Sequence, residues 1–462
     1  MPAKHSGGGS SNLIHDTNLI CVLVWGAVGA LAYFTTVSRQ WSGVGLTLAF
    51  FLNMALLHWF SGMIAILPWY MPAEYYSTTA GFKLSTIGIV AFAVGCFGIS
   101  PLFYRGADEN SPFHASTSAT KIFRVFLTVG IGCVLLVVLG LGRIPTLSAV
   151  LASGQGFVLV ALAFGIWQSY LHQNRRQLGI LLATILAFPL LTIILQGFLG
   201  FGVGYAIIVL CAFVAVYRPR FWGCLLVIPL AYLALSFYVT YMRDRNEIRG
   251  VVWSGGKLET RVDQAEKMFL EFEWFDPWNT RQLDYMNGRL NYNWMVGAAM
   301  SHLRLTKGFG EGETLWMSVL AMVPRALWPD KPIQAGSMNL VSHYTGITFA
   351  EGTSVGMGLV FEFYVNFGTY GVIAGMLIVG LLVGYADRRA GAELRWGTEM
   401  AFARWFLIGT FLIVVGASLI EVVPGIALAM AWTVGLKRLF HETFDDSDSE
   451  GSVTVIVDAP ES

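Results

Sequence analysis

Three arginines fall within seven residues at Arg243, Arg245 and Arg249, directly after a long apolar stretch. A guanidinium is a planar fork matched to paired phosphate oxygens, so such a cluster at a membrane boundary is chemistry for a lipid diphosphate. The competing reading is that the three stay at the interface and pair with Asp244 and Glu247. A second group is Val323-Pro-Arg-Ala-Leu-Trp-Pro-Asp-Lys-Pro332, where Arg325 and Lys331 sit on a proline-stiffened turn with Trp328 between them. Prolines limit backbone freedom, which suits a pre-organised anion site. Trp328 either stacks on a sugar face or anchors the turn at the interface. His343 follows as a proton carrier or phosphate donor, against the commoner structural role of a lone histidine. Arg289 and Asn293 are four apart, as are Glu362 and Asn366, and that spacing puts each pair on one helix face. Glu362 lies inside an apolar segment, where an ionised carboxylate costs at least about 2 kcal/mol unless it is paired or hydrated. It is therefore either a functional base or the partner of an arginine. Glu421, between two late apolar segments, is a weaker candidate to face an outer cavity.

The elements that must hold these residues are membrane spans. Hydrophobic residues make up 55% and charged residues 13% of the 462, against about 25% charged in soluble domains. With about 20 apolar residues needed per crossing, spans are expected near 18–37, 43–67, 82–104, 122–141, 149–171, 178–196, 199–217, 220–241, 356–385, 401–420 and 422–437, about eleven in all. Arg39, Arg105, Lys121, Arg124, Arg175, Arg176, Arg218, Arg220, Arg388, Arg389, Arg395, Lys437 and Arg438 share one set of alternating connections. Positive charge marks the cytoplasmic side. The N-terminus and the long segment 242–355 are therefore expected outside, and the acidic tail from residue 441 inside. Residues 1–17 read as a short disordered lead, and 356–440 as the last three spans. Pro189 and Pro229 are expected to kink their helices. Gly200–Gly204 and Gly380–Gly384 are expected to allow close helix contact.

The segment 242–355 holds twelve Lys/Arg and thirteen Asp/Glu, nearly half of the chain's charge, together with Trp253, Trp274, Trp278, Trp294, Trp316 and Trp328. A disordered linker would lack the aromatic rings, so this is a folded, helical cap. Leu258, Val262, Ala265, Phe269 and Phe272 trace an amphipathic helix on the bundle or membrane surface, and Thr314–Val323 is a second, short apolar helix.

Several function classes are disfavoured. Lys+Arg and Asp+Glu are both 29, so no global field points to nucleic acid. The five cysteines all lie in apolar stretches, which argues against a disulfide framework, a zinc site and an exosortase-like thiol peptidase. The loop has no D-x-D or H-E-x-x-H pattern and the chain no Walker loop, so neither a metal, another cofactor nor nucleotide hydrolysis is expected. Energy must then arrive in an activated substrate outside the membrane. A polyprenyl-diphosphate sugar meets that condition. No internal repeat is visible, which weakens a polysaccharide or lipid transporter as the alternative.

The stretch Val323–Pro332 resembles the Wzy-type oligosaccharide repeat-unit polymerases, the family of O-antigen and enterobacterial common antigen polymerases, in which a proline-, arginine- and tryptophan-bearing run closes the large periplasmic loop. Phe361-Glu-Phe-Tyr-Val-Asn-Phe-Gly-Thr-Tyr-Gly371 is similar to the family's continuation, and Arg245–Gly256 and Arg325–Gly336 fit its Arg-x10-Gly pattern. The similarity covers roughly 240–385. It implies an all-α, GT-C-like bundle in the bacterial cytoplasmic (inner) membrane that acts on an undecaprenyl-diphosphate-linked oligosaccharide. A flippase and a chain-length regulator would work in the same pathway. An O-antigen ligase-type transferase is the near alternative. On this reading Arg243, Arg245, Arg249 and Arg289 bind diphosphate, and Arg325, Lys331, His343 and Glu362 form the catalytic group. Trp328, Asn293 and Tyr344 would line the glycan path.

Overall fold

The computed structural model describes residues 8–38, 43–104, 113–115, 119–219, 225, 227–323, 328, 337–350, 353, 355–441 and 453–455. The described residues are all-helical apart from one short antiparallel pair, β1 (Phe113–Ala115) with β2 (Val453–Val455). Among the described residues nine helices are long and apolar enough to cross a membrane, the make-up of a multi-pass membrane protein. The early ones are α1 (Gly8–Val37), α2 (Leu46–Ala65), α3 (Tyr75–Phe103), α4 (Ala119–Val138), α5 (Pro145–Leu171), α6 (Arg175–Gln196) and α7 (Leu199–Tyr217). After the cap come α14 (Leu359–Trp396), the shorter α15 (Glu399–Leu412) and α16 (Leu419–Leu439). The cap consists of the far end of α8 (Val227–Trp253), then α9 (Leu258–Leu270), α10 (Thr280–Leu290), α11 (Asn293–Thr306), α12 (Glu313–Ala321) and α13 (Ser337–Thr345).

Two of the eleven expected spans are not among the nine. Residues 401–420 are apolar, but α15 ends after 14 residues, too few for a bilayer. The chain leaves the helix at residue 413, and the Val415 carbonyl then accepts the Leu359 N–H at 3.2 Å. Residues 220–241 fall partly outside the described residues, yet connectivity requires a return there. α7 carries the chain over 19 residues, about 28 Å at 1.5 Å per residue, away from the α6–α7 turn. α8 brings it back, because the Tyr241 hydroxyl donates to the Gly197 carbonyl of that turn at 2.8 Å.

Other expectations are corrected locally. Helix α1 takes in residues 8–17, read from sequence as disordered. The 241/242 boundary is no break, since α8 runs through it, so Arg243, Arg245 and Arg249 are helical residues. Pro189 lies inside α6 as expected, but Pro229 is the third residue of α8, where the missing N–H had no helical partner to lose. Gly380 and Gly384 do make a close crossing, a Cβ there falling on the Phe92 carbonyl and on Cys96 of α3. Gly200 and Gly204 do not. A Cβ at Gly200 meets nothing, and at Gly204 only Asn53 Oδ1 at 3.6 Å. The acidic run 445–450 is outside the described residues.

Charged and polar groups lock the core. Asp387 of α14 accepts the backbone N–H groups of Val44 and Leu46 at 2.8 and 3.0 Å, a carboxylate at the positive end of α2. Asn293 opens α11 fully buried. Its Oδ1 accepts from His58 Nδ1 at 2.7 Å and Ser85 Oγ at 2.9 Å, while its Nδ2 donates to the His58 carbonyl at 2.8 Å and Ser61 Oγ at 2.9 Å. These bonds tie the cap to α2 and α3. Helix α9 packs through Ala265 and Met268 and leaves Leu258, Val262, Phe269 and Leu270 exposed, the pattern of a helix lying on an apolar surface.

Candidate functional site

A cavity of about 750 Å³ opens where the cap meets the bundle. Apolar lining comes from Leu56 and Leu57 of α2, Leu159 of α5, Ile208 of α7 and Phe411 of α15. Cationic lining comes from Arg245 and Arg249 of α8 and Arg289 from the end of α10.

Helical spacing selects these side chains. Tyr238, Tyr241, Arg245 and Arg249 recur at intervals of three and four residues and all line the cavity, as one α-helical face must. Arg249 is steadied by its surroundings. Its Nε donates to the Gly197 carbonyl at 3.2 Å, and its guanidinium lies 4.3 Å from the Phe198 ring centre. Gly197 ends α6 in a left-handed conformation, so the cation also sits at the negative end of that helix.

Arg245 and Arg289 have no such support. Among the described residues neither makes a salt bridge; those present in the cap involve Arg243, Lys267 and Arg281. Burial pushes the Arg245 pKa down to about 10, and the neighbouring Arg289 and Arg249 guanidiniums push the same way. Burial also lowers that of Arg249. The Tyr238 hydroxyl beside them is buried with no hydrogen-bond partner. Three guanidiniums and a hydroxyl without a partner among the described residues thus line one space, and like charges so placed lower one another's pKa.

Among the described residues the lining holds one carboxylate, Glu421 in the first turn of α16. Ser337 Oγ lies 3.5 Å from its Oε1. Tyr292 stands between the two kinds of charge. Its hydroxyl is pushed up to about 12 by burial, with Arg289 lowering and Glu421 raising it.

A family model for a domain of unknown function (DUF8712) matches residues 73–416. The chain belongs to this family. No curated protein and no solved structure matches the chain. The DUF8712 stretch takes in the three cavity arginines, Tyr238 and Tyr292, and ends before α16.

The other expected site residues distribute as follows. Arg243 does not line the cavity. It lies about 200° around the helix from Arg245, where it pairs with Asp244 at 2.8 Å, lies 3.8 Å from both Glu271 and Glu273, and donates to the Glu271 carbonyl. Arg289 and Asn293 do not share a helix face, because α10 ends at Leu290 and α11 starts at Asn293. Asn293 itself is a buried structural hub and offers nothing to a glycan. Tyr344 is likewise buried. His343 is exposed on α13 with its ring against that of Tyr344, 4.8 Å between centres, away from the cavity. Glu362 is fully buried and does not line the cavity; its Oε2 accepts the Leu419 N–H at 2.7 Å. Trp328 is part-exposed and also outside the lining. Arg325 and Lys331 lie outside the described residues.

Sequence reasoning missed Tyr238, Tyr241 and Tyr292. The first two were within reach, since their spacing from Arg245 is the signature of a shared helix face. Tyr292 had no such signal. It enters the site because its N–H bonds to the Leu57 carbonyl at 3.0 Å, across the bundle.

Proposed function

We propose that this protein is a membrane glycosyltransferase that polymerises lipid-linked oligosaccharide repeat units. The observation that carries this reading is the convergence of Arg245, Arg249 and Arg289 in the lining of a largely apolar cavity, with no carboxylate paired to Arg245 or Arg289 among the described residues. A lipid diphosphate has the complementary form, an anionic head above a long apolar tail.

In the proposed reaction the donor is a growing glycan on undecaprenyl diphosphate and the acceptor is a second lipid-linked unit. The guanidiniums and the Tyr238 hydroxyl hold the diphosphate and take up the charge that develops on it as the glycosidic bond breaks. The polyprenyl tail lies against Leu56, Leu57 and Leu159. No metal ion is required. The distribution of basic residues supports a cap on the outer face of the bacterial cytoplasmic membrane, and the arrangement of a spanning bundle under one catalytic cap supports a GT-C-like architecture.

Full-length protein in nanodiscs, given a synthetic polyprenyl-diphosphate repeat unit in the presence of chelator, should produce a ladder of glycan lengths. Arg245→Ala and Arg289→Ala should not. A single transfer to an unrelated acceptor would make the protein a ligase. Movement of the intact substrate across the bilayer without any transfer would make it a transporter.

A further inference from the structure

We infer that Glu421 is the catalytic base that takes the proton from the acceptor hydroxyl. This assignment rests on the glycosyl-transfer reading of the cavity and adds the residue that this reading leaves open.

Local sequence would predict a different task for Glu421. Ser418 is the N-cap of α16 and Glu421 is its third helical residue, the Ser-x-x-Glu spacing of a capping box, in which the glutamate bends back to the N-cap N–H. That box is not formed. Ser418 makes no side-chain cap bond. A different donor of the same turn, the Leu419 N–H at the first helical position, goes to Glu362 Oε2 from α14. A second carboxylate does the capping, and Glu421 turns into the cavity.

Among the described residues Glu421 is the only acidic residue in the lining, contributed by α16, while the arginines come from α8 and α10. Displacement with inversion needs the nucleophile and the leaving group on opposite sides of the anomeric carbon. With the diphosphate held at the arginine wall, the acceptor hydroxyl approaches from the α16 side. Its oxygen forms the new bond to the anomeric carbon, and the carbon–oxygen bond to the diphosphate breaks with its electron pair on the departing oxygen. The hydroxyl proton passes to the Glu421 carboxylate and then to water. Neither earlier base candidate has this placement: Glu362 is enclosed with one oxygen committed, and His343 is outside the cavity.

The test is steady-state glycan extension and substrate binding by wild type, Glu421→Gln, Glu421→Asp and Glu362→Gln in nanodiscs, with the synthetic lipid-diphosphate repeat unit. Loss of general-base catalysis should lower kcat for Glu421→Gln by roughly 10²–10⁴-fold, with substrate binding retained and the acid limb of the pH–rate profile abolished. Glu421→Asp should fall between, and Glu362→Gln should keep most of the rate. If Glu421→Gln turns over nearly as fast as wild type, or loses binding and turnover together, Glu421 is not the base. A wild type that binds the substrate but never extends it would overturn the transferase reading itself, and the base with it.

Discussion

Glu362 Oε2 receives the Leu419 N–H at 2.7 Å, so a fully buried carboxylate of α14 caps the last helix of the bundle. The bond joins two elements that are separated in sequence by all of α15. It also satisfies the first N–H of α16, the helix that carries Glu421. A negative group at a helix N-terminus is electrostatically favoured, which offsets part of the cost of enclosing it.

Removing that cap should be felt as stability. Glu362→Ala strands the Leu419 N–H and opens a void, a loss of about 1–3 kcal/mol for the unsatisfied donor. Glu362→Gln keeps an acceptor oxygen and should lose less. Thermal unfolding of the detergent-solubilised variants would rank them Ala below Gln below wild type. Equal midpoints for Ala and wild type would show the bond to be dispensable.

Substitutions at the arginines should divide by helix face. Charge-assisted hydrogen bonds contribute about 1.5–3 kcal/mol each, so Arg245→Ala or Arg289→Ala should weaken binding of a lipid diphosphate by roughly 10- to 150-fold. Arg243→Ala should leave binding near wild type and instead disturb the α8–α9 connection through the loss of its Asp244, Glu271 and Glu273 contacts. Titration with a fluorescent polyprenyl diphosphate reads this directly. A larger effect from Arg243 than from Arg245 would contradict the assigned cavity.

Function and stability should oppose each other at Arg245. Burial and its two arginine neighbours lower its pKa to about 10, below the ordinary arginine range. In the unfolded chain the group holds its proton to higher pH, so this site's unfavourable contribution is full at neutral pH and fades only as pH rises through about 10. Arg245→Met should therefore stabilise the ligand-free protein at pH 7, by about 1 kcal/mol once solvent screening is allowed for, while abolishing transfer. Adding a lipid diphosphate should stabilise wild type more than the variant at the same concentration. A variant less stable than wild type at pH 7 would mean that the cation is already compensated.

Much of this arrangement was legible in the residues. Hydropathy located the nine long helices, and aromatic content pointed to ordered helices in the polar segment between them. Of the four arginines to which guanidinium chemistry pointed, three line the cavity. What the sequence could not convey was where helices stop and which face they turn. Residues 401–420 are uniformly apolar, yet the chain leaves its helix at 413 because backbone groups there pair with α14. Asn293 lies four residues from Arg289, but the intervening Tyr292 is held by Leu57 in a different direction. Glu362 and Glu421 look alike in composition. Their roles separate only when one of them reaches the end of the other's helix.

The last prediction concerns two glycines that line the cavity without making a helix crossing. A Cβ would meet open space at Gly200 and an ordinary contact at Gly204, so larger residues there should not disturb packing in the way that Gly380→Leu would. They would instead fill the volume assigned to the lipid tail. Gly204→Leu, and more so Gly200→Leu combined with Gly204→Leu, should leave the unfolding midpoint close to wild type. Both should raise KM for long-chain lipid substrates more than for a short-chain analogue with the same head group. The comparison of chain lengths separates a blocked tail site from a damaged diphosphate site, since the latter would penalise both substrates equally. If the double variant handles long and short chains as wild type does, the apolar walls of this cavity are not where the lipid lies.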